Sequence, residues 1–342
     1  MKAVVLKKFG DIDNLSYEDV ADPVCLDYQV LIRMHACGVC HHDVMKRKGH
    51  FPRTQPPVVM GHEIAGEIMQ VGKSVTNFQV GDRVVSVMRP PCGTCRNCRR
   101  GYNNLCQEGG GTYGEKLQGG YAEFVVLNQN GLIKIPDNIG YPEASIIPCA
   151  LGTAYHAIRS VANVKPSETV IITGASGGVG IHAIQFARLV GARVIAVTTS
   201  PSKVNVLKEI GADEVIVSPE LQFDKEARAL TNGIGADVIL DIVGELAWES
   251  GIKSIAYRGR YIFIGNLNGN PVQLRPAHAI LKELSFLGTD AVTVMEVHEI
   301  MELVKLGRIQ PIVEEKLPLK EAGKAHQLLE QKKTSGRVVL TL

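Results

Sequence analysis

Apolar residues along this chain fall into two textures. Up to about residue 148 they form short strand-like runs: Val30–Met34, Val58–Ile68 with broken alternation, Arg83–Val87 and Ala122–Leu127. Gly and Pro punctuate them, which predicts a β-rich, partly barrel-like region. From about 149 the runs change character. Val170-Ile171-Ile172 is an unbroken apolar strand, Gly174–Gly180 a glycine-rich turn, and Ile181–Val190 a helix with Ile181, Ile184, Phe186 and Leu189 at helical spacing. Arg193–Val197 reads as the next strand, Lys203–Ile210 as a helix, and Val215–Val217, Val238–Ile242 and Tyr261–Ile264 as further strands. Strands buried on both faces lose their alternation, so this order predicts a parallel sheet covered by helices, a doubly wound α/β domain. The tail from about 289 returns to mixed texture and ends in Arg337–Leu342, a strand able to pair back onto the first region. The expected division is 1–148 with 289–342, and 149–288.

With 342 residues the chain is long enough for two domains. It is 45% hydrophobic and 21% charged with a net charge of +2, so no charge excess points to nucleic acid or an acidic membrane surface. The first residues, Met1 to Lys8, hold an apolar run too short for a secretory signal. No run reaches the ~18 residues of a membrane span, and the expected location is the cytoplasm.

Four of the 8 cysteines, Cys92, Cys95, Cys98 and Cys106, fall inside fifteen residues. Neighbours spaced by two are poorly placed for disulfides, whereas four thiolates can close a tetrahedron around a structural Zn²⁺. Such a site carries a formal charge of −2, which Arg96, Arg99 and Arg100 in the same loop are expected to offset. A second set is scattered. Cys40 lies in Cys37-Gly38-Val39-Cys40-His41-His42-Asp43, His62 in Gly61-His62-Glu63, and Cys149 opens Cys149-Ala150-Leu151-Gly152-Thr153. Spacing alone does not join these three places.

Thr173-Gly174-Ala175-Ser176-Gly177-Gly178-Val179-Gly180 links a buried strand to an amphipathic helix. Glycines there let the backbone approach a pyrophosphate, and the helix N-terminus supplies N–H donors. The next strand runs into Thr198, Thr199, Ser200 and Lys203, without the carboxylate an NAD enzyme usually places on the ribose. Hydroxyls and a lysine suit a 2′-phosphate, so NADP is the expected cofactor and NAD the less favoured one.

These landmarks, together with Gly81-Asp82-Arg83-Val84 and Gly259–Gly265, resemble the zinc-containing medium-chain alcohol dehydrogenase family along nearly the whole chain. The resemblance implies a GroES-like β-rich catalytic domain plus a Rossmann cofactor domain. It implies that Cys40, His62 and Cys149 bind a catalytic zinc, with Glu63 a nearby or alternating fourth ligand and Asp43 holding the zinc-bound histidine. It places Thr153 and Ile264-Gly265-Asn266 near the nicotinamide, His41 near the pyrophosphate and Asp241–Gly244 under the adenosine ribose. Cys37 matches no family ligand and reads as a packed small residue. His42 stands where the family has a Ser or Thr that passes the substrate proton. An imidazole with a pKa near 6.5 can also relay a proton, but its size narrows the pocket.

The expectation is a two-zinc, NADP(H)-linked alcohol dehydrogenase or carbonyl reductase acting on a small molecule, as a homodimer or homotetramer. The alternative is a reductase of activated carbon–carbon double bonds, because the glycine turn through Gln185 and the Thr-Thr-Ser loop resemble the quinone and acryloyl-CoA reductase branches. A non-enzymatic, crystallin-like role would bind cofactor without hydride transfer, and the full ligand set argues against it.

Overall fold

The structure, a computed structural model, describes residues 1–342. It divides into two compact units, Met1–Gly152 with Ala291–Leu342, and Thr153–Asp290. The first crossing therefore lies four residues beyond the expected one, and Cys149 belongs to the first unit. The reason is local: Cys149 sits in a π-helical turn, Ile147–Leu151, that packs against strand Glu63–Val71.

In the first unit a seven-stranded sheet runs Val313–Pro318, Arg337–Thr341, Gln29–Val39, Glu63–Val71, Arg83–Ser86 and Leu132–Lys134, with Phe124–Asn128 also paired to Gln29–Val39. A smaller sheet joins Leu15–Asp19, Lys2–Leu6 and Val58–Val59. Their shared core includes Val4, Leu6, Ile32, Ile64, Leu127 and Leu340. The C-terminal strand does pair back: Val338 faces Val39 across an antiparallel ladder. Strand Lys2–Leu6 contains the four-residue apolar run Ala3–Leu6, buried on both faces.

In the second unit six strands lie in the order Glu214–Val217, Arg193–Thr198, Thr169–Ile172, Ala236–Asp241, Ile255–Phe263 and Ser285–Gly288. All five ladders are parallel. The central strands are buried throughout their apolar runs, which is why those runs do not alternate. Helix Gly178–Val190 buries Ile181, Ile184 and Phe186 as its spacing predicts, but Leu189 is exposed. Ala183 and Ala187 occupy the buried face instead, because small side chains let the helix lie close on the sheet. Trp248 and Tyr261 meet edge to face, at 5.0 Å, within a core that also holds Ile239 and Ile252. No helix of the chain is long and apolar enough to cross a membrane.

Candidate metal centre and cofactor turn

Cys40 follows strand Gln29–Val39 directly and caps helix His41–Arg47. Its sulfur accepts from the His42 N–H at 3.4 Å, and the Asp43 carboxylate accepts from the Cys40 N–H at 3.1 Å. Strand pairing then brings up distant donors. Gly38 lies opposite Glu63 in the antiparallel ladder, so His62 and Glu63 arrive beside Cys40. Gly38 has to be glycine, since a Cβ there would run into the Glu63 carboxylate. One donor atom each from Cys40, His62, Glu63 and Cys149 lies within 4.8 Å of the other three, and all four residues are buried.

The His62 ring is oriented by Asp43. Its Nδ1 is 2.9 Å from Asp43 Oδ1, and its Nε2 faces Cys149 Sγ at 3.5 Å. Donation from Nδ1 leaves the Nε2 lone pair for a metal. Burial works against the imidazolium, but the Asp43 carboxylate outweighs it and lifts His62 to about 9. The hydrogen bond with Cys149 and the nearby Arg337 hold the Cys40 thiol well below its usual value, against burial. The same bond and burial hold the proton on Cys149. A dication would displace such protons, and two sulfurs with one oriented imidazole suit Zn²⁺ that keeps an open position. The donor set fits the metal.

Arg337 completes this cluster and was not foreseen. Its Nη2 lies 2.5 Å from Glu63 Oε1, 3.3 Å from Cys40 Sγ and 3.6 Å from Cys149 Sγ, while its Nε reaches Glu63 Oε2 at 3.2 Å. Nothing in the sequence marked it except one charge at the start of an apolar strand. Both Glu63 oxygens are engaged by the guanidinium, so Glu63 can act as a ligand only by sharing or leaving that partner.

His42 stands edge-on to Phe51 at 4.3 Å and to His62 at 5.4 Å. Burial, then Lys46, pushes it down to about 3. The ring is therefore neutral at neutral pH rather than poised near 6.5. A neutral imidazole passes a proton only by accepting at one nitrogen while donating from the other. His41 opens the same helix, half-buried. Cys37 is fully buried and packs against Gly61 and Gly120.

The four-cysteine lobe also closes. Its sulfurs lie within 4.8 Å of one another, and none forms a disulfide. Backbone N–H groups point at them: Cys95 at Cys92 Sγ (3.3 Å), Cys98 at Cys95 Sγ (3.5 Å) and Cys92 at Cys106 Sγ (3.3 Å). The Thr94 hydroxyl, with the Cys95 and Thr94 N–H groups, brings Cys92 down to about 6. Arg96, Arg99 and Arg100 are exposed, and Arg100 lies over the Tyr102 ring. The donors that stabilise the sulfurs are thus main-chain amides and a hydroxyl, because the tight turns aim N–H groups inward while long arginines extend into water.

In the second unit the glycine turn enters helix Gly178–Val190 with Gly177 as its cap, and no side chain satisfies the first N–H groups. An anion suits that end. Gly180 packs so tightly that a Cβ would lie 2.5 Å from Gly174 O. Ser176, Gly177 and Val179 are half-buried around the turn. At the next strand end, Thr198 is buried and its Oγ1 accepts from Ser200 N–H, the Ser200 and Ser202 hydroxyls are 2.9 Å apart, Thr199 is half-buried and Lys203 is buried. Asp241 ties the turn region together. Its Oδ1 accepts from Thr173 Oγ1 (2.7 Å), Val243 N–H and Gly244 N–H, and its Oδ2 from the Tyr261 hydroxyl (2.8 Å). Ile264 and Gly265 donate to Asp241 O, and the exposed Asn266 donates to Asn270 O. Thr153 opens this unit, half-buried.

Known proteins place the chain in context. A model described as the alcohol dehydrogenase GroES-like domain matches residues 27–137, and one described as zinc-binding dehydrogenase matches 178–306. The chain is 37% identical over 342 residues to an acryloyl-coenzyme A reductase of Metallosphaera sedula, covering 100% of both chains. It is 34% identical to an NAD-dependent alcohol dehydrogenase of Sulfolobus acidocaldarius, covering 99% of both. The crystal structure of AibC superposes with a TM-score of 0.93 at 47% identity, covering 100% of this chain and 95% of that one. With its GroES-like unit, its parallel-sheet Rossmann-like unit and its Cys/His donor set, this chain belongs to the zinc-containing medium-chain dehydrogenase/reductase family of oxidoreductases.

Proposed function

We propose that this enzyme is an NADPH-linked reductase whose substrate is the conjugated double bond of a small α,β-unsaturated acyl thioester. The observation that carries this reading is the full-length likeness, 37% over all 342 residues, to an acryloyl-coenzyme A reductase. Zinc held by Cys40, His62 and Cys149 would supply a Lewis acid that polarises the thioester carbonyl and so makes the β-carbon electrophilic. The glycine turn Gly174–Gly180 would hold NADPH, which would supply the hydride for the β-carbon, with a proton for the α-carbon drawn from solvent, to give the saturated thioester and NADP⁺.

The chain's own residues do the rest. Asp43 keeps His62 in the tautomer that offers Nε2. Arg337 holds the Glu63 carboxylate and lies against both cysteine sulfurs, favouring their thiolate forms. His42, neutral and packed on Phe51, offers one donor and one acceptor without adding charge. Gly174, Gly177, Gly178 and Gly180 make room for the pyrophosphate at the helix end. The strand-end segment Thr198, Thr199, Ser200 and Lys203 favours NADP over NAD because it carries no carboxylate and its half-buried Thr199 and Ser200 hydroxyls suit a 2′-phosphate. The Cys92, Cys95, Cys98 and Cys106 lobe holds a second, structural zinc.

Reduction of a ketone or aldehyde by the same site is the second reading, favoured by the complete Cys40, His62 and Cys149 set and by the alcohol dehydrogenase relatives. A panel of enoyl thioesters, ketones, aldehydes and quinones with NADPH separates the two. Turnover of ketones with enoyl thioesters left untouched rejects the first reading. A kcat/KM ratio for NADPH over NADH below one rejects the NADP assignment. A homodimer or homotetramer in a reducing cytoplasm is part of the same proposal; eight free cysteines suit that compartment.

A further inference from the structure

His326 is the one histidine with no surface exposure at all whose two ring nitrogens both lack a partner among the protein's atoms. It sits on helix Ala322–Glu330, which packs against helix His41–Arg47. The facing sides carry matched residues at one-turn spacing: Asp43 and Arg47 on one helix, His326 and Glu330 on the other. The outer couple closes directly, with Arg47 Nη2 2.8 Å from Glu330 Oε1. The inner couple does not. The His326 ring instead stands edge-on to Tyr121, with centroids 6.1 Å apart at 78°, and the Tyr121 hydroxyl reaches Asp43 Oδ2 only at 3.4 Å. Asp43 Oδ2 otherwise accepts one N–H, from Cys40, and a carboxylate has room for more.

A neutral imidazole has one donor and one acceptor to place, and buried polar atoms in native interiors find partners, in protein or in water. The charged and titratable groups acting on His326 are Asp43, Arg47, Glu330 and His41; burial outweighs them and brings it down to about 4, so the ring is neutral. Its neighbours on this side, a long Tyr–Asp hydrogen bond and an under-used carboxylate oxygen, offer the polar contacts a buried water requires. We propose that an ordered water bridges His326 to the Tyr121–Asp43 pair and so ties the helix Ala322–Glu330 to the histidine that binds metal. His326 is a positioning residue: it acts on the metal site through water, Asp43 and His62. The inference is independent of which substrate is reduced, but its functional half rests on His62 being a metal ligand.

The test uses the intact zinc-loaded enzyme with His326→Phe, which keeps the ring volume without nitrogens, and His326→Gln, which keeps a donor and an acceptor. Transfer of zinc to a chelator should be several-fold faster from the buried site in His326→Phe, below the ten-fold or more in affinity that losing a direct partner of a metal ligand costs. Release from the four-cysteine site should not change, and His326→Gln should restore most of the retention. A folded His326→Phe that releases buried zinc at the wild-type rate overturns the coupling. If that variant does not fold, a high-resolution crystal structure of the wild type decides: density for a water within hydrogen-bond reach of His326 is expected, and its absence overturns the bridge. Wild-type protein carrying zinc only in the four-cysteine lobe instead overturns the metal assignment, and is told apart from failure of the bridge by that count.

Discussion

The Arg337 guanidinium meets the Glu63 carboxylate through two hydrogen bonds, 2.5 and 3.2 Å long, with both side chains buried beside the cysteine sulfurs. Two formal charges cancel there. What remains is a set of two thiolates and one imidazole, whose charge a dication neutralises. The pair is thus an electrostatic support for the candidate metal site, and its partners depend on each other.

Removing one partner should cost far more than removing both. Arg337→Met leaves the Glu63 carboxylate buried and unpaired, which should lower stability by about 3–5 kcal/mol. Arg337→Met with Glu63→Gln should recover most of that loss. Urea unfolding of the four proteins of this double-mutant cycle measures the coupling. Additive losses would mean that the pair contributes nothing.

Cys98→Ser should remove one zinc per chain and leave the other, since the two donor clusters share no residue. Metal analysis after gel filtration reads the stoichiometry directly. Loss of both ions would mean that the lobe supports the buried site, and retention of both would remove Cys98 from the ligand set.

Gly180→Ala sets two effects against each other. Alanine favours a helix over glycine by about 1 kcal/mol. Its Cβ, however, would lie 2.5 Å from Gly174 O and 2.6 Å from Ala175 Cα, backbone atoms that must then move. The displacement wins, and the Kd for NADPH should rise by about ten-fold or more, a cost of at least ~1.4 kcal/mol. Fluorescence titration of the nucleotide checks it; unchanged affinity would detach this turn from the cofactor.

Acid stability should carry a signature of Glu330. Burial raises its pKa, but Lys48 and Arg47 outweigh burial and hold it below the ordinary value. A depressed folded pKa means the contribution is complete above the unfolded value, about 4.3, and is lost as pH falls through the folded one. Glu330→Gln should therefore lower stability at neutral pH and converge on the wild type as pH falls through that acid window. Parallel curves for the two proteins down to the acid limit would refute the assignment.

Much of this was legible in the chain. The parallel sheet was readable because strands covered on both faces must be apolar at every position, as Val170 to Ile172 are. Leu189 misled for a related reason: periodicity marks a helix but does not say how wide its buried stripe is, and Ala183 and Ala187 filled it. Strand Val313–Pro318 was missed because only one of its six residues is buried, so it shows no apolar run. The expected domain crossing at 149 came from a change in texture, which cannot register that a single turn packs backward.

The clustering of the four cysteines could be read from the sequence because they are neighbours and local turns suffice to aim their sulfurs at one another. The buried centre could be joined only by resemblance, since Cys40, His62 and Cys149 are separated by long stretches of chain. Arg337 could not be read at all. It lies 297 positions from Cys40 and reaches it because the last strand pairs with Gln29–Val39 in a register that sets Val338 against Val39. Residue type and spacing encode chemistry within a few turns of chain. Which distant charge stands beside which ligand is decided by strand register, and register is a property of the whole sheet.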